Sequence, residues 1–285
     1  MSRDYSSITP SAKALLLTKA LTTIPFMADV ARIVCDHDFD QFKDGPFDEL
    51  FLKRLVHFES RYLSLDSVLF ASGSLNVLEI SSGFSFRGLN MALNHPNIFY
   101  QDTDLPDLIT QKSLLCEQLI KQEHLNLKGK LQLSALNALD QAQFEQVVDS
   151  MPAGRISIIN EGLLMYLSLE EKVRMCGIIH KILKKKGGYW ITADIYIKKK
   201  LYENPIPDAF NQFLDAHHVE DQKFESFEEA ATFFAEQGFK LVTKATSVWH
   251  QLSSVKYVDP TMLNKWVKQS SEIGRIRETW VLKAV

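Results

Sequence analysis

The stretch LNVLEISSGFSFRG, residues 75–88, decides the fold. It begins with a short apolar run, residues 75–80, which passes directly into a small polar turn around Gly83. Apolar residues at helical spacing follow the turn. A short apolar run bounded by turn residues and followed by a helical pattern is typical of a buried strand that feeds a helix. The same strand–turn–helix pattern recurs along the middle of the chain, so this stretch is the first unit of a series.

Four more strands are predicted after the first one, with helices between them. The strands are expected at residues 98–103, 130–136, 155–160 and 189–197. One intervening helix begins at Ser168, which forms a capping box with Glu171. Strands that alternate with helices predict a parallel, doubly wound sheet. Two late strands, residues 239–251 and 277–285, read as an antiparallel pair, so we expect an α/β fold with seven strands and the last strand antiparallel.

A helical cover is predicted in front of this sheet. Apolar residues spaced by three or four between Phe47 and Leu69 mark one face of a long helix, which Gly45-Pro46 precedes and Ser72-Gly73 ends. The chain is therefore expected to form one domain, residues 1–285. Its predicted parts are a helical cover (1–73), a ligand-binding core (74–195), and an insertion with the C-terminal strands (196–285).

Composition excludes several classes of protein. The 285 residues are 46% hydrophobic and 24% charged, with a net charge of -3, which is globular and favours neither nucleic acid nor an anionic membrane as a partner. Neither a membrane span nor a signal sequence is recognisable. The three cysteines, Cys35, Cys116 and Cys176, are far apart and form no metal-binding or disulfide pattern. We expect a cytoplasmic protein without a metal site.

Candidate ligand-binding residues lie where the predicted strands end, because doubly wound sheets bind ligands at the carboxyl ends of their strands. Gly83 allows the backbone to approach a ligand closely, although the turn lacks the pattern GxGxxG. Asp102 and Asp104 end the second strand at about 20 residues from the turn, where an acid binds ribose hydroxyls in nucleoside-binding folds. Either acid would equally cap the helix that starts near Pro106, and both interpretations stay open.

Three segments in this order carry a family resemblance. They are EISSGFSFR (79–87), YQDTDLPDLITQK (100–112) and NEGLLMYL (160–167). Together they resemble the leucine carboxyl methyltransferase family, which includes polyketide O-methyltransferase-like proteins, and the resemblance extends from about residue 9 to residue 194. It implies a Rossmann-like class I methyltransferase that uses S-adenosyl-L-methionine.

The resemblance also implies roles for individual residues. Arg61 would contact the methionine carboxylate of the cofactor with help from Lys19, Asp104 would hold the ribose, and Glu161 would lie near the methionine end. The alternatives are that Arg61 is a solvated charge on the long helix and that Glu161 only complements a helix N-terminus. The full set of predicted cofactor-binding residues is Lys19, Arg61, Glu79, Gly83, Asp102, Asp104, Leu136 and Glu161.

The sequence departs from the family pattern at two places. The usual Gly-x-Asp of the first turn is Gly83-Phe84-Ser85 here, and the usual Asp-Leu after the third strand is Ala135-Leu136. The missing acid leaves the adenine contact to Leu136, backbone groups or the nearby Asn137. An inactive methyltransferase-like protein that binds a nucleoside or a partner is therefore one alternative. A nicotinamide-dependent dehydrogenase is another, which the absent GxGxxG disfavours.

The methyl acceptor is expected to be a small molecule. Methyl transfer from a sulfonium is an in-line displacement that depends on alignment of the reactants. A carboxylate acceptor needs no base, whereas a hydroxyl acceptor needs one, most often a histidine. The sequence does not choose among the candidate bases His180, His217, His218 and His250. Aromatic residues expected to wall the pocket are Phe84, Phe86, Tyr166 and Tyr196.

Overall fold

A computed structural model describes residues 9–35, 37–198 and 209–285. Its seven strands form one sheet in the order β3-β2-β1-β4-β5-β7-β6. The first five strands are parallel, and β7 runs antiparallel to both of its neighbours. This is the predicted mostly parallel seven-stranded sheet. The strands are β1 (Asn76–Glu79), β2 (Phe99–Asp104), β3 (Lys130–Ala135), β4 (Ile156–Asn160), β5 (Gly188–Tyr196), β6 (Phe239–Lys244) and β7 (Arg277–Ala284).

The strand register brings the predicted site residues to one edge of the sheet. Glu79, the last residue of β1, is level with Asp102 of β2 and with Ile159 of β4. The central strands β2 and β4 are buried along their whole length, as expected for a parallel sheet covered by helices on both faces. The segments that follow β1, β2 and β4 therefore leave the sheet side by side.

Eleven α-helices flank the sheet in the part of the chain that is described. They are α1 (Thr9–Lys19), α2 (Met27–Cys35), α3 (His37–Phe42), α4 (Glu49–Ser72), α5 (Arg87–Asn94), α6 (Pro106–Gln122), α7 (Gln141–Asp149), α8 (Leu169–Lys186), α9 (Ala209–Ala216), α10 (Phe227–Glu236) and α11 (Pro260–Ile273). None of these helices is long and apolar enough to cross a membrane.

The long helix α4 confirms the prediction for residues 47–69. Its N-cap, Asp48, accepts a hydrogen bond from the backbone of Phe51 at 2.7 Å, and Gly73 ends it in the left-handed conformation at φ 61°. The helix packs against β5 and β7, and α1 packs against it in turn. The N-terminal cover thus lies next to the carboxyl edge of the sheet. The predicted capping box of Ser168 and Glu171 is also present, at the start of α8.

The C-terminal third differs from the prediction in one strand. The strand expected to reach residue 251 ends at Lys244, and two short 3₁₀ turns follow at Trp249–Gln251 and Ser253–Tyr257. After the strand the chain leaves the sheet, and its backbone binds to α4 instead. The buried carboxylate of Glu59 on α4 accepts hydrogen bonds from the backbone of Ser253 at 3.0 Å and of Ser254 at 2.8 Å. Within the predicted insertion, α9 is helical, and residues 199–208 lie outside the described residues.

Candidate functional site

A cavity of about 960 Å³ opens at the carboxyl edge of the sheet, between the strand ends and helices α1 and α4. This is the size of a small-molecule site. The cavity brings together most of the predicted residues, although they are scattered over more than 140 positions of the chain. The predicted residues that line it are Lys19, Arg61, Glu79, Gly83, Asp104, Leu136 and Glu161.

A basic cluster lies at one end of the cavity. We define it as Lys19, Arg61, Arg87 and Glu161, whose carboxylate the three cations share. Glu161 Oε1 accepts hydrogen bonds from Lys19 Nζ at 2.5 Å and from Arg61 Nε at 3.2 Å. Its Oε2 accepts from Arg87 Nη2 at 2.7 Å. Burial alone raises the pKa of Glu161, but the three cations outweigh it and hold the pKa well below its usual range. Glu161 is therefore an ionised partner of three cations.

Arg61 is a buried donor on the cavity wall, so the interpretation as a solvated helix charge is wrong. Its exposed fraction is 2%, and its Nη1 donates to the hydroxyl of Tyr196 at 3.3 Å. The guanidinium of Arg61 packs closely against Gly162, because a Cβ added there would lie only 3.2 Å from Nη2. Gly162 also has a positive φ of 83°, which favours glycine. Nη2 donates to none of the described residues, which leaves this group able to bind a ligand.

Arg87, the arginine of the first-turn motif, was not predicted as a contact, and it supports the cavity wall without lining it. Its guanidinium donates to Glu79 and, at 2.5 Å, to Asp66, in addition to Glu161. The second oxygen of Glu79 accepts from the hydroxyl of Tyr100 at 2.6 Å. Both carboxylate oxygens of Glu79 thus have partners inside the protein. Glu79 lines the cavity, and its carboxylate holds Arg87 in place.

Asp104 lies at the opposite end, beside the first turn. Its Oδ2 accepts a hydrogen bond from the backbone of Gly83 and its Oδ1 from the backbone of Leu105, both at 2.7 Å. Burial raises the pKa of this carboxyl group, and the two backbone donors partly oppose the rise. The N-cap of α6 is Leu105, without a side-chain capping bond, so the capping interpretation of Asp104 is wrong. Each carboxylate oxygen keeps further acceptor capacity for a ligand hydroxyl.

Asp102 was predicted as a cofactor-binding residue, and the structure places it away from the cavity. Its Oδ1 accepts a hydrogen bond from Lys112 Nζ at 2.8 Å, and its Oδ2 lies 2.7 Å from the same ammonium group. Lys112 also donates to Ser82 Oγ at 2.8 Å. Both members of the pair are almost completely buried. The carboxylate is occupied by a lysine beneath the first turn, so Asp104 is the acid that a ligand can reach.

The loop after β3 presents an apolar surface to the cavity. Leu136 lines it, and the backbone N–H of Leu136 donates to the carbonyl of Asp104 at 2.8 Å. The neighbouring Asn137 uses its side-chain oxygen to accept from the backbone of Leu139 at 2.9 Å. Apolar side chains at Leu136, Ala138 and Leu139 form a surface that suits the face of a flat ring.

Aromatic side chains lie among aliphatic ones on the remaining wall of the cavity, and we call this part the aromatic lobe. Three of the four predicted wall residues line it, namely Phe84, Tyr166 and Tyr196, together with Phe58 and Phe210. Phe86 does not line the cavity. It is completely buried in the core beneath the first turn, with the ammonium of Lys112 5.8 Å from its ring centroid.

The histidine on the cavity wall is one that the sequence reasoning missed. The four predicted candidates do not line the cavity, whereas His57 on α4 does. Its Nε2 lies 2.7 Å from the hydroxyl of Tyr196. Burial, with further contributions from Arg277 and Arg61, holds the pKa of His57 well below its usual range, so the ring is neutral at neutral pH. The signal in the sequence was its spacing of four residues from Arg61, which places both on one helix face.

Comparison with known proteins supports the fold. No family model matches the chain, and no curated protein matches it. A solved structure of a DUF574 family protein from Streptomyces avermitilis MA-4680 has a TM-score of 0.54 and 12% identity, covering 98% of this chain and 100% of that chain.

Two other solved structures are more distant. Magnesium protoporphyrin IX methyltransferase from Synechocystis PCC 6803, with bound S-adenosylhomocysteine, has a TM-score of 0.48 and 10% identity over 90% of this chain and 99% of its own. LepI in complex with S-adenosylmethionine has a TM-score of 0.44 and 10% identity over 74% of this chain, which spans only 43% of the LepI chain.

The chain has the Rossmann-like class I methyltransferase fold that the sequence predicted. At these identities the likeness concerns the fold alone. Membership of the leucine carboxyl methyltransferase family stays a prediction.

Proposed function

We propose that this protein is an S-adenosylmethionine-dependent O-methyltransferase that acts on a carboxylate or hydroxyl of a small molecule. One observation carries the proposal. A single cavity at the carboxyl edge of the sheet has an accessible carboxylate, Asp104, at one end and the basic cluster with Arg61 at the other. A nucleoside with a charged amino-acid tail needs this pair of contacts.

The donors and acceptors of the site fit the cofactor. The free acceptor positions of Asp104 suit ribose hydroxyls, and the apolar surface at Leu136 suits adenine. Arg61 Nη2 has no partner among the described residues and suits the methionine carboxylate. Glu161 holds Arg61 and Lys19 in position before the ligand arrives. When bound, the cofactor supplies an activated methyl group.

The structure disfavours the dehydrogenase alternative. Dinucleotide-binding Rossmann sheets have the parallel strand order 3-2-1-4-5-6. Here β7 is inserted antiparallel between β5 and β6, and the first turn lacks the dinucleotide glycine pattern. The inactive, nucleoside-binding alternative shares the same cavity, so catalysis has to be measured separately from binding.

Calorimetric titration with S-adenosylhomocysteine tests the proposal, with NAD as the control ligand. We expect one molecule of S-adenosylhomocysteine to bind per chain and NAD not to bind. Absence of S-adenosylhomocysteine binding, or tighter binding of NAD, contradicts the proposal. Transfer of a labelled methyl group from S-adenosylmethionine to small carboxylic acids and phenols then separates an enzyme from an inactive binding protein.

We also propose a cytoplasmic location and a small-molecule partner. The three widely separated cysteines and the buried, free thiols of Cys116 and Cys176 suit a reducing compartment. A cavity of this size with an apolar wall suits a small-molecule acceptor better than a macromolecular one.

A further inference from the structure

His57 and Tyr196 meet at the boundary between the basic cluster and the aromatic lobe. Tyr196 is the last residue of β5, and His57 reaches its hydroxyl from α4 at 2.7 Å. Arg61 connects this hydroxyl to the basic cluster, because its Nη1 donates to Tyr196 and its Nε donates to Glu161. The hydroxyl therefore lies between the group assigned to the methionine carboxylate and the space left for an acceptor.

The direction of these hydrogen bonds follows from the donors available. Arg61 can only donate, so the oxygen of Tyr196 accepts from it. We assign the proton of Tyr196 to its hydrogen bond with His57 Nε2, which places the ring proton of His57 on Nδ1. Burial raises the pKa of Tyr196, so its phenol stays protonated at neutral pH. A neutral imidazole next to a protonated phenol is ready to receive a proton.

We propose that Tyr196 and His57 form a proton-accepting pair and that the acceptor presents an acidic hydroxyl, a phenol or an enol, on a flat unsaturated body. The inference rests on the proposed function. The acceptor oxygen forms its bond to the methyl carbon while the sulfur–methyl bond breaks, and the electron pair of that bond stays on sulfur. The hydroxyl proton passes to the oxygen of Tyr196 as Tyr196 gives its own proton to His57 Nε2.

The charges around His57 define how acidic the hydroxyl must be. Burial and the surrounding cations disfavour an imidazolium, so His57 is a weak base, but the same cations favour a phenolate next to it. A weak base suits an acidic hydroxyl and not an ordinary alcohol. A carboxylate acceptor would bind in its ionised form, so the pair would have no proton to accept. The charged and titratable groups that face His57 are Arg61 on α4, Glu161 after β4, Tyr196 on β5, Lys223 in the segment before α10 and Arg277 on β7.

The test uses 4-nitrophenol as the probe, because its phenolate absorbs visible light. The protein is first saturated with S-adenosylhomocysteine, which forms a complex that cannot react. We expect 4-nitrophenol to bind roughly tenfold more tightly than 4-nitroanisole, and also more tightly than 4-nitrobenzoate. The bound probe should show the phenolate absorbance at a pH where the free phenol is mostly neutral.

Two conservative variants assign the effect to the pair. Tyr196→Phe and His57→Gln should each lose the phenolate absorbance and bind 4-nitrophenol roughly tenfold more weakly. The loss for 4-nitrophenol should exceed any loss for 4-nitroanisole or S-adenosylhomocysteine, because neither of these gives a proton to the pair. The matched controls are Tyr189→Phe, at the other end of β5, and the exposed His250→Gln, which should behave as wild type.

The outcomes separate this inference from the proposed function. If wild type does not bind S-adenosylhomocysteine, the proposed function fails and this inference fails with it. If S-adenosylhomocysteine binds but 4-nitrophenol gains nothing over 4-nitroanisole or 4-nitrobenzoate, only this inference is overturned. Phenolate absorbance that persists in both variants overturns it as well. The wild-type measurements decide the matter even if a variant fails to fold.

Discussion

Two regions near the carboxyl edge of the sheet contain buried ion pairs, and they differ in what they face. The pair Lys112–Asp102 lies beneath the first turn and does not line the cavity. The basic cluster around Glu161 forms part of the cavity wall. In the first region the lysine and the acid are matched to each other, whereas in the second Arg61 Nη2 donates to no group in the described part of the chain. Similar residue types therefore hold the turn in one region and can bind a ligand in the other.

Breaking the Lys112–Asp102 pair should have the largest effect on stability. Lys112→Met leaves Asp102 buried without its cation, and we expect a loss of about 3–5 kcal/mol in the free energy of unfolding. Urea denaturation at neutral pH measures it. The double variant Lys112→Met/Asp102→Leu serves as the control and should recover much of the loss, because an apolar pair replaces the two charges. A single variant as stable as wild type would contradict the comparison.

A change in the basic cluster should weaken ligand binding. Arg61→Ala removes the donor assigned to the methionine carboxylate, and S-adenosylhomocysteine should bind more weakly by about 1.5–3 kcal/mol. Adenosine lacks that carboxylate and should bind both forms equally well in calorimetry. An equal loss for the two ligands would show that Arg61 only supports the structure of the cavity.

The two acids of β2 sharpen the comparison, because they lie two residues apart and only one can reach a ligand. Asp104→Asn should weaken binding of adenosine by about 1–3 kcal/mol, since an amide donor replaces one acceptor of the ribose hydroxyls. Its preference for adenosine over 2′-deoxyadenosine should shrink.

Asp102→Asn is the matched control for Asp104→Asn. It should lower the free energy of unfolding by disturbing Lys112 and leave the adenosine affinity close to that of wild type. The opposite pattern would move the ribose contact to Asp102.

A third buried lysine should show its effect as a pH dependence of stability. Lys172 donates to the carbonyls of Leu167 at 2.9 Å and Gln222 at 2.6 Å. Burial lowers its pKa from 10.5 to about 8. The unfolded chain therefore binds more protons than the folded chain between these two values, and the free energy of unfolding rises with pH in that window.

Lys172→Met removes this contribution. Denaturation curves between pH 8 and 10.5 should show a smaller rise for this variant than for wild type. The exposed Lys181→Met on the same helix is the control and should keep the wild-type slope. A slope in Lys172→Met identical to that of wild type would contradict the effect of burial.

The sequence by itself determined the sheet and the edge at which the site lies. Apolar runs with period-two or helical spacing depend on local burial, so they predicted the seven strands and the long helix α4. The rule that parallel strands bind ligands at their carboxyl ends then pointed to Gly83, Asp102 and Asp104, of which Gly83 and Asp104 line the cavity. The family resemblance added Glu161, which also lines it.

Only the tertiary structure decided which charged groups pair and which remain available. Asp102 and Asp104 lie on the same face of β2, since side chains alternate with period two, so no sequence pattern separates them. A lysine from α6 reaches one acid, and the turn after β1 reaches the other. The contact of His57 with Tyr196 joins residues 139 positions apart, and that of Glu59 with Ser253 joins residues 194 positions apart. Such pairings depend on how distant elements pack, and local spacing carries no information about them.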